Sequence, residues 1–454
     1  MGPVFGGVFG RGDVAVGDMA WLQAMLDAEA GLARALERAG LAAAGAGQAV
    51  TAAASAADFD PATFGTGLTG NPVPGLARAL ARQVPAAAAG AVHRGATSQD
   101  IIDTAMMLLA RQVIGATLAD LARAAETAAG LTLRHRGTIM IGRTLLQQAV
   151  PVTFGLVAAG WLTALDEARA GLASVRAERL AVQFGGAAGT LASLGAEGPR
   201  VAALMAEELG LALPVLPWHT DRLRVLDIST SLARASAVLG KIGRDVTLLA
   251  QNEIGELREG DPGGPGGPVR RGGSSAMPHK RNPVAAVAVL GCTRQVPGLL
   301  ATLAASAEHE LQRAAGAWHA EWEPYTALLR LTQSAATWGA ELLGGLVVDA
   351  PRMAANLAAT EGLPLAEHVT ALVSGVLGAP RAHDLVARAS ERAASSGLRL
   401  RDVLLGVPEL ADTLAAAGIT PEQVEAALEP AGYLGATQVF IDAALAAHGG
   451  DGHG

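Results

Sequence analysis

Between Asp221 and Gly260 the chain contains no proline, and a run of that length bounds the fold more tightly than any other feature. Proline-free sequence on this scale is read as one long helix, because nothing in it breaks the hydrogen-bond ladder. The wider span 156–250 has few breakers beyond Gly185–Gly186, Gly195 and Pro214–Pro217. Asp18–Gly40 is read as an amphipathic helix with Trp21, Leu22, Met25, Leu26, Leu32, Ala33 and Leu36 on one face. Glu29 falls on the same face, a polar exception with no evident partner. Residues 41–90 are rich in alanine, the best helix former, and almost nothing there alternates with the period of strands. Leu328–Gly345 is read as a further core helix. The expected fold class is all-α.

Hydrophobic residues make up 50% of the chain and charged residues 17%, with a mean hydropathy of +0.32. That balance calls for apolar surface buried between subunits or in a membrane. The longest uncharged run, Thr144–Leu165, holds two glutamines and a proline. A helix buried in an oligomer core is expected there rather than a membrane span. The net charge of −8, with no large basic cluster, argues against nucleic-acid binding. The single cysteine, Cys292, excludes an internal disulfide and a thiolate cluster, and no metal is expected. The N-terminal residues lack a basic n-region and a myristoylation pattern, so the expected compartment is the cytoplasm.

Chemistry concentrates in four stretches. The first is GGSSAMPHKRNP (272–283), preceded by the Gly/Pro-rich GDPGGPGGPVRRGG (260–273). It presents Ser274, Ser275, His279, Lys280, Arg281 and Asn282, and Pro283 opens an apolar helix. Composition alone favours a solvated linker, while a loop that delivers reactive groups to a helix also describes an active-site lid. The second is HRGATSQDIIDT (93–104). Thr97 or Ser98 is read as the N-cap of the following helix, and the same N-terminus suits a substrate carboxylate. The third is GRTLLQQAVPVTFG (142–155), and the fourth HELQRAAGAWHAEW (309–322), where Trp318 and Trp322 lie one turn apart as a packing stripe. Gln251 and Glu253, near the end of the long helix, either face a site or are solvated.

The 272–283 stretch resembles the signature GSSxMPxKxNP of the fumarase/aspartase superfamily at every fixed position. The second and third stretches resemble TSxDxxDT and GRTHxQPAxPxTFG of the same family. The resemblance implies a central long-helix bundle that assembles into a tetrameric core, with active sites shared among subunits. It implies an N-terminal helical domain at 1–105, a bundle domain at 106–348 with a catalytic loop at 258–275, and a C-terminal helical domain at 349–454. Ser274 is then the catalytic base. Thr97, Ser98, Gln147, Ser275, Lys280 and Asn282 are substrate ligands, and His93 is a candidate for catalysis or binding. No cofactor is implied, and the substrate is a small polycarboxylate.

Two departures stand out. Leu145 occupies the position of a lyase histidine, and Val287 that of the glutamate which orients it. In both respects, and in GAWHAEW, the chain resembles the bacterial carboxymuconate cycloisomerases. That branch implies closure of 3-carboxy-cis,cis-muconate to 4-carboxymuconolactone in aromatic-acid catabolism. Ala276 instead matches lyases that release fumarate from a succinyl compound, such as adenylosuccinate lyase or a specialised nitrogen-releasing relative. A non-catalytic scaffold is a third reading, opposed by the intact Ser274, Lys280 and Asn282.

Overall fold

The computed structural model describes residues 3–260, 271–273 and 276–450. Helix dominates, as expected. Four long helices, Ser98–Arg134, Phe154–Glu178, Leu223–Leu249 and Ala317–Gly344, carry the architecture. The chain divides into two compact units, one of residues 1–122, 167–243 and 285–340, the other of 123–166, 244–284 and 341–454.

In the first unit the Asp18–Arg38 helix buries the face read from its sequence, with Leu22, Leu26, Leu32 and Leu36 essentially inaccessible. The Val284–Thr293 helix follows Pro283 as expected. It packs closely on Leu223–Leu249 because Gly240 and Gly243 present no side chain. A Cβ at Gly240 would stand 3.0 Å from the Thr293 hydroxyl, and one at Gly243 3.1 Å from Val289. Ser236 and Thr332 join hydroxyls at 3.1 Å between the Leu223–Leu249 and Ala317–Gly344 helices. Residues 317–344 form a single helix with Pro324 inside it, so the tryptophan stripe and the core helix expected from Leu328 are continuous.

The second unit holds two corrections. Residues 144–153 are not helical. Strands β1 (Ile139–Thr144) and β2 (Gln147–Thr153) form an antiparallel hairpin, and the helix begins only at Phe154. The run lacks charge, but Val150 and Val152 prefer extended backbone, and Pro151 is tolerated in a strand whose outer edge is free. The register shifts between Ile141 and Arg143, where a Cβ on Gly142 would lie 2.6 Å from the Val150 carbonyl oxygen. Thr153 then accepts the Leu156 N–H at 3.2 Å and starts the helix.

The long helix of 221–260 also ends early, at Leu249. The chain turns through Gly255, with φ +65°, and Leu257–Glu259 pairs antiparallel with Leu346–Val348. The turn buries Glu256, whose carboxylate receives two bonds from Arg143, both at 2.8 Å, and one from Asn356. Arg143 and Asn356 thus satisfy a buried charge just past the helix end. Beyond residue 350 the unit is made of short helices around a core of Val369, Val373, Leu385, Leu400, Leu404 and Val424.

Candidate active site

The helix Ser98–Arg134 starts at the hydroxyl-rich stretch. Its first backbone donors need partners, and a serine or threonine hydroxyl at the N-cap is the usual solution. Here only the reverse bond is made, by Asp100. Its Oδ2 accepts the Thr97 N–H at 2.9 Å, the reach-back half of a capping box. The same buried carboxylate accepts the N–H groups of Gly185 and Gly186 at 3.0 and 2.9 Å, and His219 Nε2 at 2.6 Å. The hydroxyls of Thr97 and Ser98 make no hydrogen bond among the described residues, and both residues are half-buried. The cap bond expected of them is therefore not formed, Asp100 holding the Thr97 N–H instead, and two hydroxyls stand at the positive end of a 37-residue helix.

One turn further on, Asp103 enters a wholly buried ion cluster. Arg222 Nη1 lies 2.7 Å from Asp103, and Arg222 Nη2 lies 2.6 Å from Glu321, with a second bond to each carboxylate. Trp318 Nε1 donates to Asp103 at 3.0 Å, so this tryptophan has a polar anchor as well as an edge-on packing contact with Trp322. Gln99 donates to Asp103 and to the His219 carbonyl. Arg313 donates to the Gly186 carbonyl. Both carboxylates of TSQDIID are thus structural fasteners.

His93 lies five residues before Ser98 with a φ of +56°. Glu29, the unexplained polar residue of the first amphipathic helix, is its partner. Glu29 Oε1 is 2.7 Å from His93 Nδ1, and Oε2 accepts the His93 backbone N–H at 2.8 Å. Burial of the ring works against its charged form. The hydrogen bond and charge of Glu29, backed by the charge of Asp100, prevail and raise the pKa above the ordinary 6.5.

The remaining described candidates belong to the second unit. Gln147 is exposed at the head of β2. The tip before it is a two-residue turn of Leu145 and Leu146, both left-handed at φ 51° and 65°, the pattern of a type I′ turn that favours Asn-Gly. Leu145 is 97% exposed in the single chain, and Val287 of the first unit 56%. Neither apolar replacement is buried by its own chain. On the 271–283 segment Gly273 bridges to Arg281, while Asn282 sends its backbone N–H and its side-chain amide to the Gly272 carbonyl at 2.9 and 3.1 Å. Lys280 is exposed, and no partner holds its ammonium among the described residues. Ser274 and Ser275, and most of the 258–275 loop, lie outside the described residues. Gln251 is exposed beyond the helix end, bonded to the Leu248 carbonyl, and Glu253 is exposed beside it.

Sequence reading missed the partners rather than the motifs. His219 and Arg222 sit in PWHTDR (217–222), a polar run between a proline and a long helix, and Glu321 sits in HAEW. The spacing of Asp100 and Asp103, three apart on one helix face, was the available signal.

A family profile described as "Lyase" matches residues 17–298. The 3-carboxy-cis,cis-muconate cycloisomerase of Bradyrhizobium diazoefficiens is 45% identical, over 94% of this chain and 94% of its own length. The nitrosuccinate lyase of Streptomyces davaonensis is 44% identical, over 95% of this chain and 92% of its own. Among solved structures, the 3-carboxy-cis,cis-muconate lactonizing enzyme of Pseudomonas putida superposes with a TM-score of 0.88. It is 38% identical and covers 99% of both chains.

Proposed function

The chain belongs to the fumarase/aspartase superfamily of lyases, and from that premise we propose that it cyclises 3-carboxy-cis,cis-muconate to 4-carboxymuconolactone. A carboxylate oxygen of the substrate adds to one carbon of its own double bond, and the neighbouring carbon takes up a proton. Ser274 carries that proton, as donor in the closing direction and as base in the reverse. Lys280 and Asn282 receive the carboxylate whose charge grows in the transition state. Thr97, Ser98, Gln147 and Ser275 hold the rest of the substrate, with His93 beside them. The nucleophile is tethered and already anionic, so no histidine–glutamate pair is needed to prepare it. Leu145 and Val287 fit that economy.

The observation that carries this reading is the pair of unengaged hydroxyls at the helix start beside His93, a receptor for carboxylate, in a chain whose full-length relatives include cycloisomerases. We place the enzyme in the cytoplasm, in the β-ketoadipate route of aromatic-acid catabolism, acting without a cofactor. The three-domain division stated from sequence is kept as part of the proposal, and so is a homotetramer with shared active sites. The exposed Leu145, Val287 and Val215 favour coverage by neighbouring subunits.

The test mixes purified protein with 3-carboxy-cis,cis-muconate and follows loss of the diene's ultraviolet absorbance. Loss with the wild type and none with Ser274→Ala supports the reading. No loss with the wild type overturns it. A second reading, β-elimination from a succinyl compound with release of fumarate, is favoured by Ala276 and by the near-equal identity to nitrosuccinate lyase. Fumarate appearing from nitrosuccinate would establish it.

A further inference from the structure

Glu29 is a fully buried carboxylate on the apolar face of the Asp18–Arg38 helix. Both of its oxygens engage one residue. One lies 2.7 Å from the ring Nδ1 of His93, and the other accepts the backbone N–H of His93 at 2.8 Å. That residue holds φ at +56°, a conformation disfavoured for any side chain with a Cβ. The two bonds therefore fix the main chain and the ring together. A carboxylate on Nδ1 also fixes the tautomer, keeping a proton on that nitrogen and setting the ring's rotation. The edge against Glu29 is closed. The side chain as a whole stays 24% exposed, and Nε2 makes no hydrogen bond among the described residues.

We propose that Glu29 is a positioning residue, holding His93 so that Nε2–H donates to a substrate carboxylate seated on the Thr97 and Ser98 hydroxyls. This rests on the reading that Thr97 and Ser98 bind substrate. The charged groups acting on the ring are Glu29 from the Asp18–Arg38 helix and Asp100 from the first turn of the Ser98–Arg134 helix. Both favour the imidazolium, the form in which Nε2 is a donor whatever the tautomer. Glutamine at position 29 would keep the size but offer one acceptor to two donors. With its oxygen on the backbone N–H, its amide NH2 group faces Nδ1, which can then only accept, so the imidazolium loses its partner.

The experiment is site-resolved hydrogen–deuterium exchange at the histidine ring carbon, read by mass spectrometry on the full chain. It compares wild type with Glu29→Gln, with and without tricarballylate as an inert polycarboxylate probe. In the wild type His93 titrates above the ordinary imidazole value, and the probe moves it higher. In Glu29→Gln it falls back, and calorimetry reads a loss of probe affinity of about tenfold. A His93 titration that Glu29→Gln leaves in place overturns the proposal, and so does unchanged probe affinity. Should Glu29→Gln fail to fold, His93→Asn serves, since asparagine tolerates the left-handed backbone and leaves Glu29 its N–H partner. The same tenfold loss supports the proposal, and unaltered affinity overturns it. A wild-type chain that shows these His93 shifts but leaves 3-carboxy-cis,cis-muconate unchanged supports the pair and counts against the proposed reaction alone.

Discussion

At the start of the Ser98–Arg134 helix most polar groups are held by buried partners, the Thr97 and Ser98 hydroxyls excepted. Glu29 fixes His93, Asp100 fixes the Thr97 backbone, and Asp103 with Glu321 fixes Arg222. On the 276–283 segment the polar groups have fewer buried partners. Lys280 is exposed, and half-buried Asn282 bonds the Gly272 carbonyl and accepts the Val284 N–H at 2.9 Å. The first region was ordered at folding, by burial. The second presents Lys280 at the surface beside a short bridge between Gly273 and Arg281.

The contrast can be broken most forcefully at Arg222. Replacing it with leucine leaves Asp103 and Glu321 buried without a cation, and the expected loss is about 3–5 kcal/mol in urea unfolding. A loss below about 1 kcal/mol would mean the first region is not held by its ions. Next comes Lys280→Ala. The expected result is a fall in kcat/KM of at least about a hundredfold, with unfolding free energy unchanged within about 0.5 kcal/mol. A matching stability loss would show that the second region is structural too. Ser98→Ala sharpens the comparison from the other side. Activity should fall about tenfold through the lost contact with substrate, while stability drops by much less than the roughly 1 kcal/mol typical of an N-cap. The full cap penalty would return Ser98 to a helix-capping role. The smallest effect belongs to the hairpin tip. Leu145→Asn with Leu146→Gly places permissive residues at two left-handed positions and should stabilise the chain by about 1 kcal/mol, read as a rise in the urea midpoint.

The helical class was legible because alanine-rich, breaker-poor runs leave little alternative, and the signature motifs were legible because they are contiguous. The β hairpin was not. Its run of uncharged residues satisfies a hydropathy criterion for helix, and only Pro151 between two valines argued otherwise. The end of the long helix at Leu249 was hidden for another reason. Just past it Glu256 meets Arg143, 113 residues away in sequence, and no local pattern announces a partner at that distance. The same holds for Glu29. Its misfit on an apolar face was visible, but the residue that resolves it lies 64 positions on.

The capping arrangement at Asp100 reaches beyond this one chain. A helix start closed by the residue at its third position leaves the two preceding hydroxyl positions without a folding duty. On the proposed substrate role of Thr97 and Ser98, mutations there would be screened by substrate and hardly at all by the fold. On the same proposal, a lineage with this arrangement could explore new carboxylated substrates at positions 97 and 98 without first acquiring compensating changes elsewhere. Relatives with different reactions at near-equal sequence distance are what such freedom would leave behind.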